Sequence, residues 1–197
     1  MIRILALFVL IAACDDRPEQ VRIVDRNGHL AATLQRRSGI KDGPVTLFWP
    51  DGTERLVGNF QHDRREGWWR GYHVDGSLRS LTHYANGQKE GRRIYWDSSG
   101  RPVRLEVFAH GLPNGPFYRY FPDGRLEQQS NYVDGQREGP HDQWYDDRGG
   151  TRVNGYYHAG QEMGLWTEYD TLGHMIWQAY LNNGEVTRMM YGIRRRH

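Results

Sequence analysis

The segment Gly115–Gly139, GPFYRYFPDGRLEQQSNYVDGQREG, contains one full period of a repeat that occupies most of the chain. Its aromatic run ends in Pro122-Asp123-Gly124, where proline presets φ and glycine supplies φ > 0, which predicts a tight turn. A second strand is predicted from about Leu126 to Tyr132, and a polar connector containing Gly135 leads to the next period. Each period is therefore predicted to be one β-hairpin followed by one connector.

The same landmarks return every 24 residues, and after 25 residues near the C-terminal end. The leading-glycine series is Gly43, Gly67, Gly91, Gly115, Gly139 and Gly164; the turn series is Gly28, Gly52, Gly76, Gly100, Gly124, Gly149 and Gly173; the connector series is Gly39, Asp63, Gly87, Gly111, Gly135, Gly160 and Gly184. Self-similarity at such a period indicates a repeat architecture. The one extra residue predicts a bulge or lengthened turn near Asp146-Asp147-Arg148.

Two aromatic columns keep the same register as the glycines. The first column, five residues after each leading glycine, is Phe48, Tyr72, Trp96, Tyr120, Trp144 and Tyr169. The second column, three residues before each connector position, is Phe60, Tyr84, Phe108, Tyr132 and Tyr157, then Leu181. Rings repeated in register predict a spine in a continuous sheet. The expected fold is all-β, an elongated array of six to seven stacked β-hairpin repeats that form a single-sheet solenoid.

Composition agrees with a packed β structure once charge is considered. Mean hydropathy is −0.82 and hydrophobic content is 38%, values that alone would favour disorder. The net charge of the 197-residue chain is only +2, however, and aromatic residues make up 13% of it. The 26 basic and 24 acidic residues are interleaved, so no nucleic-acid partner is expected.

The first thirteen residues lie outside the repeat pattern. Met1-Ile2-Arg3 is a short positive segment, and the apolar run Ile4–Ala13 is too short to span a bilayer but suits a secretory signal peptide. Ile11-Ala12-Ala13-Cys14, with the only cysteine of the chain, resembles a bacterial lipobox. The resemblance implies that residues 1–13 are removed and that Cys14 carries the lipid.

The chain is therefore predicted to comprise a signal peptide at 1–13, a lipidated cysteine and tether at 14–20, and the repeat array at 21–197. The implied location is a bacterial membrane, facing the periplasm or the cell surface, and inner and outer membranes remain alternatives. The membrane itself is then one partner, reached through the N-terminal lipid.

Four segments carry the same motif of an aromatic residue, a connector glycine and a leading glycine: Tyr84–Gly91, Phe108–Gly115, Tyr132–Gly139 and Tyr157–Gly164. This motif resembles the MORN (membrane occupation and recognition nexus) repeat, in the variant found in bacterial YwqK-type antitoxin proteins. The resemblance covers residues 21–197. It implies hairpin arrays used as scaffolds, membrane-associated modules or antitoxins, with no shared catalytic residues to carry over.

The residues predict no catalytic, cofactor or metal site, and an enzyme is not expected. The nine histidines lack ligand spacing, and lipidation of Cys14 leaves no thiolate for a metal. No serine lies in a Gly-x-Ser-x-Gly elbow, and the glycines lead into strands rather than into phosphate-binding helices.

The candidate binding surface is an exposed face rich in aromatic residues and arginine, with Trp69, Trp166, Arg70 and Arg93 as its members. The alternative is that such tryptophans cover the second face of the sheet or pack the ends of the array. The leading hypothesis is a membrane-anchored scaffold that binds a protein partner, in an antitoxin-like or immunity role. Cell-wall glycan binding through aromatic rings, and lipid-surface binding helped by Arg194–Arg196, are the alternatives.

Overall fold

The structure is a computed structural model that describes residues 16–145 and 150–192. Within these ranges all the regular elements are β-strands. The predicted signal peptide, Cys14, the lengthened turn near Asp146-Asp147-Arg148 and Arg194–Arg196 lie outside the described residues. The predicted all-β fold is confirmed.

The described residues form seventeen strands. In chain order these are β1 Glu19–Val24, β2 Leu30–Arg37, β3 Ile40–Phe48, β4 Glu54–Gln61, β5 Arg64–Tyr72, β6 Leu78–Ala85, β7 Gln88–Trp96, β8 Pro102–Ala109, β9 Leu112–Pro113, β10 Gly115–Tyr120, β11 Leu126–Val133, β12 Gln136–Arg137, β13 Gly139–Trp144, β14 Thr151–His158, β15 Gln161–Tyr169, β16 Met175–Asn182 and β17 Glu185–Gly192.

Consecutive strands pair antiparallel in one open sheet, as a stack of hairpins should. Both β9 and β10 pair with β8, so they are two segments of one strand that is interrupted at Asn114. In the same way β12 and β13 both pair with β11 and are separated by Glu138. The described edges of the sheet are β1, which pairs with β2, and β17, which pairs with β16.

The connectors are tighter than the sequence analysis expected, because each is itself a hairpin turn. At the turn between β11 and β12, Asp134 has φ 47° and Gly135 has φ 85°. Two successive residues with positive φ match the twist of the flanking strands and need only two loop residues. Strands therefore continue past the connector, and a leading glycine such as Gly67 lies inside β5 instead of opening it. Asp63, which replaces a connector glycine, adopts the same conformation with φ 62°.

Connector turns are joined to one another from repeat to repeat. The Gly87 N–H donates to the Arg65 carbonyl oxygen (2.9 Å), and the Asn86 N–H donates to the Glu66 carboxylate (2.8 Å). The backbone bond recurs between Gly111 and Lys89, Gly135 and Pro113, and Gly160 and Arg137, and the carboxylate bond between His110 and Glu90 and between Ala159 and Glu138. Each repeat thus satisfies turn N–H groups of the next, which fixes the register of the stack.

The two aromatic columns have different environments. In the second column Tyr84, Phe108, Tyr157 and Leu181 are buried, and Phe60 and Tyr132 are half-buried. The first column is half-buried throughout and lies at strand ends, where the register shifts by a residue, as at Tyr72. The second column is therefore the buried part of the predicted spine, and the first column closes the long turns.

Residues directly opposite one another on paired strands share a face of the sheet, and the face that carries the second column is called the core face here. It has two clusters of buried side chains. The N-terminal cluster is Leu34, Val45, Trp69 and Tyr84, and the C-terminal cluster is Tyr157, Trp166, Trp177, Ala179 and Leu181. Between them lies a polar middle made of Arg93, Arg104, Glu106, Gln128 and Ser130.

Each cluster contains a tryptophan seated on a glycine of the preceding strand. A Cβ built on Gly58 would overlap the Trp69 indole, and one built on Gly155 would overlap the Trp166 indole. Both pairs are eleven residues apart, across a connector, and the register of the strands shifts at both glycines. The missing side chain provides the space that the large ring fills.

We expect Gly58→Ala and Gly155→Ala each to lower the free energy of unfolding by about 1–3 kcal/mol, because the added methyl group forces the indole out of its site. Gly150→Ala is the matched control, since Gly150 has no atom within 4 Å of its added Cβ and no positive φ. Urea denaturation monitored by tryptophan fluorescence measures all three. Equal stability of the Gly58 and Gly150 variants would show that the indole is not confined by the glycine.

Candidate functional site

The structure places two members of the predicted binding surface in the core. Trp69 is 4% exposed and Trp166 is 1% exposed, so the expectation that they present their rings to a partner is wrong. The physical reason is the glycine beneath each ring, which lets the indole lie flat against the sheet. The Trp166 indole N–H also donates to the Tyr156 carbonyl oxygen (3.2 Å). The alternative placed these tryptophans on the second face or at the ends of the array, but both rings lie on the core face, Trp69 beside Tyr84 and Trp166 beside Tyr157.

The two predicted arginines lie on different faces of the sheet, and only Arg93 lines a groove together with one of the tryptophans, Trp69. Arg70 is exposed on the face opposite the core, because it follows Trp69 along β5 and pairs with Leu81. Arg93 lies on the core face and is half-buried, with its guanidinium 4.5 Å from the Tyr95 ring centroid. The four predicted residues are thus divided between two faces of the sheet.

A row of cations lies across the second aromatic column. Arg65 stacks over Trp69 at 4.4 Å and donates to the Tyr84 hydroxyl at 2.9 Å. Arg137 lies 5.0 Å from the Tyr157 centroid and donates to its hydroxyl at 2.9 Å. Lys41 over Phe60 and Lys89 over Phe108 complete the row, at 5.1 and 4.5 Å.

These cations explain how rings become buried on a sheet face. The aliphatic stems of lysine and arginine cover apolar surface while the charged ends remain in contact with water. All four cations stand two residues after a connector position, so their spacing was visible in the sequence. From the sequence, arginine was expected only to contact a partner, and the stacking of these cations on the rings was not predicted.

A buried polar pair, Ser130 and His141, lies beside the C-terminal cluster. A hydrogen bond of 2.7 Å joins Ser130 Oγ and His141 Nδ1, and the two residues are 6% and 3% exposed. The imidazole packs against the rings of Tyr157 and Trp166. Burial, aided by the positive charge of Arg137, lowers the pKa of His141 from 6.5 to about 4. The imidazole is therefore neutral at pH 7 and joins β11 to β13.

Carboxylates with lowered pKa values lie in the turns and connectors. The Thr53 hydroxyl lowers the pKa of Asp51, and the backbone N–H of Ala159, with help from His158, lowers the pKa of Glu138. Asp25, Asp75, Asp123 and Asp170 have lowered pKa values for the same kind of reason, hydrogen bonds within their own turns. These carboxylates stabilise the hairpin ends.

In residues 16–145 and 150–192, no group of three or more histidine, cysteine, aspartate or glutamate side chains is placed to hold a metal ion. The same ranges include no helix with the length and apolar character needed to cross a membrane.

The largest concentration of exposed apolar side chains is at the C-terminal end. Every residue of β17 is exposed. The exposed apolar residues of this end are Leu172, Met175, Ile176, Tyr180, Val186, Met189, Met190 and Tyr191. Val186 pairs with Leu181 and Met189 pairs with Ala179, so these two side chains extend the C-terminal cluster to the edge of the sheet. We refer to these eight residues as the C-terminal patch.

No protein-family model matches this chain, and a search of curated proteins also finds no match.

We expect the free energy of unfolding to fall as the pH drops from about 6.5 to 4, by up to roughly 3 kcal/mol from His141 alone. The sign follows from the lowered pKa, because in this window the unfolded chain binds a proton that the folded chain does not. Denaturant titrations at several pH values measure the effect.

The control is the double variant Ser130→Ala/His141→Phe, which removes both hydrogen-bonding partners and the titrating group together. The exposed His110, replaced by phenylalanine, should leave the pH dependence unchanged. The same acid sensitivity in the wild type and the double variant would contradict the assignment to His141.

Proposed function

We propose that this protein is a membrane-anchored, non-enzymatic repeat scaffold that binds a protein partner through the C-terminal patch. The observation that carries the proposal is the coincidence of an open sheet edge and exposed apolar side chains on the same strand, β17. Val186 and Met189 are exposed on the core face of this edge, and Tyr180 and Tyr191 are exposed on the opposite face. Clusters of exposed apolar side chains often mark interaction sites.

The geometry of β17 favours an extended segment of the partner as the occupant. An edge strand has backbone N–H and C=O groups that can pair with one more strand, and side-chain pockets then select the sequence. Val186 and Met189 lie beside the buried Leu181 and Ala179 on the core face. A partner strand with apolar residues on one side would therefore extend the C-terminal cluster by another row.

The scaffold assignment is supported by the roles of the polar groups. Side chains that often serve in catalysis have structural contacts here: His141 bonds Ser130, Glu66 and Glu138 bond connector N–H groups, and Asp51 bonds its own turn. An antitoxin-like or immunity role is one form of the proposal and rests on the resemblance to MORN-type proteins. In that role the partner would be a toxin.

The membrane anchor in this proposal is the lipid on Cys14, after removal of residues 1–13. The first strand starts at Glu19, two residues earlier than the sequence analysis placed the array, so only a short tether separates Cys14 from the sheet. The N-terminal edge would then be close to the bilayer on the periplasmic or outer side. The C-terminal patch, at the opposite edge, would face away from the membrane.

The exposure of the tryptophan rings supports the glycan-binding alternative less well than protein binding. Of the seven, only Trp68 is exposed, and its ring packs edge-on to His83 at 4.9 Å between centroids. Stacking on sugars needs accessible aromatic faces, and Trp69, Trp166 and Trp177 are buried in the sheet.

Replacing Val186 and Met189 together by lysine should reduce recovery of the partner at least tenfold, because two charges at the edge disfavour both apolar contact and strand addition. The matched control replaces Leu112 and Val133, which are 50% and 45% exposed at connectors in the middle of the array. Quantitative affinity purification of the full chain in detergent compares the two variants with the wild type. The proposal fails if both double variants recover the same proteins in the same amounts.

Cys14→Ser should move the protein from the membrane to the soluble fraction and abolish incorporation of labelled palmitate, since no other thiol is present. Membrane fractionation and fluorography measure the two effects. Ser38→Cys combined with Cys14→Ser restores a thiol at another exposed position and should restore neither effect. Membrane retention of the Cys14→Ser protein would exclude lipidation as the anchor.

A further inference from the structure

A groove of about 300 Å³ opens on the core face where the N-terminal cluster meets the polar middle. Its lining includes Arg65, Arg79, Arg93, Ser80, Thr82 and Tyr95. The groove exists because Gly71 occupies a position where the neighbouring repeats have Leu47 and Tyr95. A Cβ on Gly71 would lie 2.5 Å from Ser80 Oγ and 3.5 Å from Arg79 Nη2, so a side chain there would fill the floor of the groove.

Three guanidinium groups from three successive strand regions converge on this space. Arg65 is held by its stacking on Trp69 and by its bond to the Tyr84 hydroxyl, so its position is fixed before any ligand arrives. Arg93 stacks on Tyr95, and its Nε is buried without a hydrogen-bond partner among the described residues. Arg79 is exposed at the rim.

The groove has more positive than negative charge. Within the described part of the chain, no carboxylate forms an ion pair with Arg65 or Arg79. The one carboxylate near Arg93 is that of Glu106, whose Oε2 is 3.9 Å from Arg93 Nη1. Glu106 is shared with Arg104, whose Nε is 3.6 Å away, so it does not neutralise the groove.

We propose that this groove binds a phosphate monoester. A guanidinium presents planar, paired N–H donors that match phosphate oxygens, and Arg65, Arg79 and Arg93 all line this space. The hydroxyls of the buried Ser80 and Thr82 add neutral donors at the floor. The volume exceeds that of a phosphate group, which leaves room for the esterified part of the ligand above Tyr95. This inference is independent of partner binding at the C-terminal patch.

The test is calorimetric titration of the full chain in detergent with glycerol 3-phosphate, inorganic phosphate and chloride at equal ionic strength. Saturable binding of both phosphate species, tighter for the ester, is expected, and chloride should give none. Arg79→Gln and Arg93→Gln should each weaken ester binding about tenfold or more, as expected for loss of a charged hydrogen-bonding group. Arg70→Gln, on the opposite face, is the matched control and should bind like the wild type.

A second variant tests the groove without removing a charge. Gly71→Ala fills the floor and should abolish saturable binding, while its unfolding midpoint in chloride, measured in parallel, reports whether the fold is kept. Binding of the same strength in chloride, absence of saturation with both phosphate species, or an equal loss in Arg70→Gln and Arg93→Gln would each overturn the proposal.

Discussion

The structure depends on one constraint: in a single sheet, a side chain on the core face can be buried only by other residues of that sheet. The side chains that face one another on consecutive strands must therefore have complementary volumes. A small residue faces a large one across three of the connectors, as in Gly58 with Trp69, Ser130 with His141 and Gly155 with Trp166. At Gly58 and Gly155, which have no side chain, an indole fits over the glycine. At the equivalent Ser130, the smaller imidazole of His141 forms a hydrogen bond with the serine hydroxyl.

The same constraint explains how residues 16–145 and 150–192 of a chain with low hydropathy form a single sheet with buried side chains. Lysine or arginine from the start of four repeats lies across the aromatic rings, as Arg65 does over Trp69 and Arg137 over Tyr157. Their stems contribute apolar cover, and their charges interact with the ring faces. Lysine and arginine, which lower the mean hydropathy of the chain, therefore help to bury the aromatic rings. Few aliphatic neighbours are then needed to cover these rings.

The repeat fold is predictable from the sequence because its determinants are local. Asp-Gly turns, positive-φ connectors and the 24-residue period identify hairpins without reference to distant contacts. The faces of Trp69 and Trp166 were not predictable in this way, because the pleat is interrupted at Gly58 and Gly155 and each ring is matched to a glycine eleven residues away. The arginine groove also has no sequence motif, since it requires the absence of a side chain at Gly71 and three arginines on different strands.

The polar middle of the core face has a consequence for how the array unfolds. In a linear repeat protein, cooperativity passes only between neighbours and depends on the apolar contact at each junction. The junctions within the N-terminal and C-terminal clusters are apolar, whereas those between β7 and β11 bring together Arg93, Arg104, Glu106 and Gln128. We therefore expect the N-terminal and C-terminal clusters to unfold as two partly independent units. Amide protons of the strands between these clusters should exchange fastest with solvent.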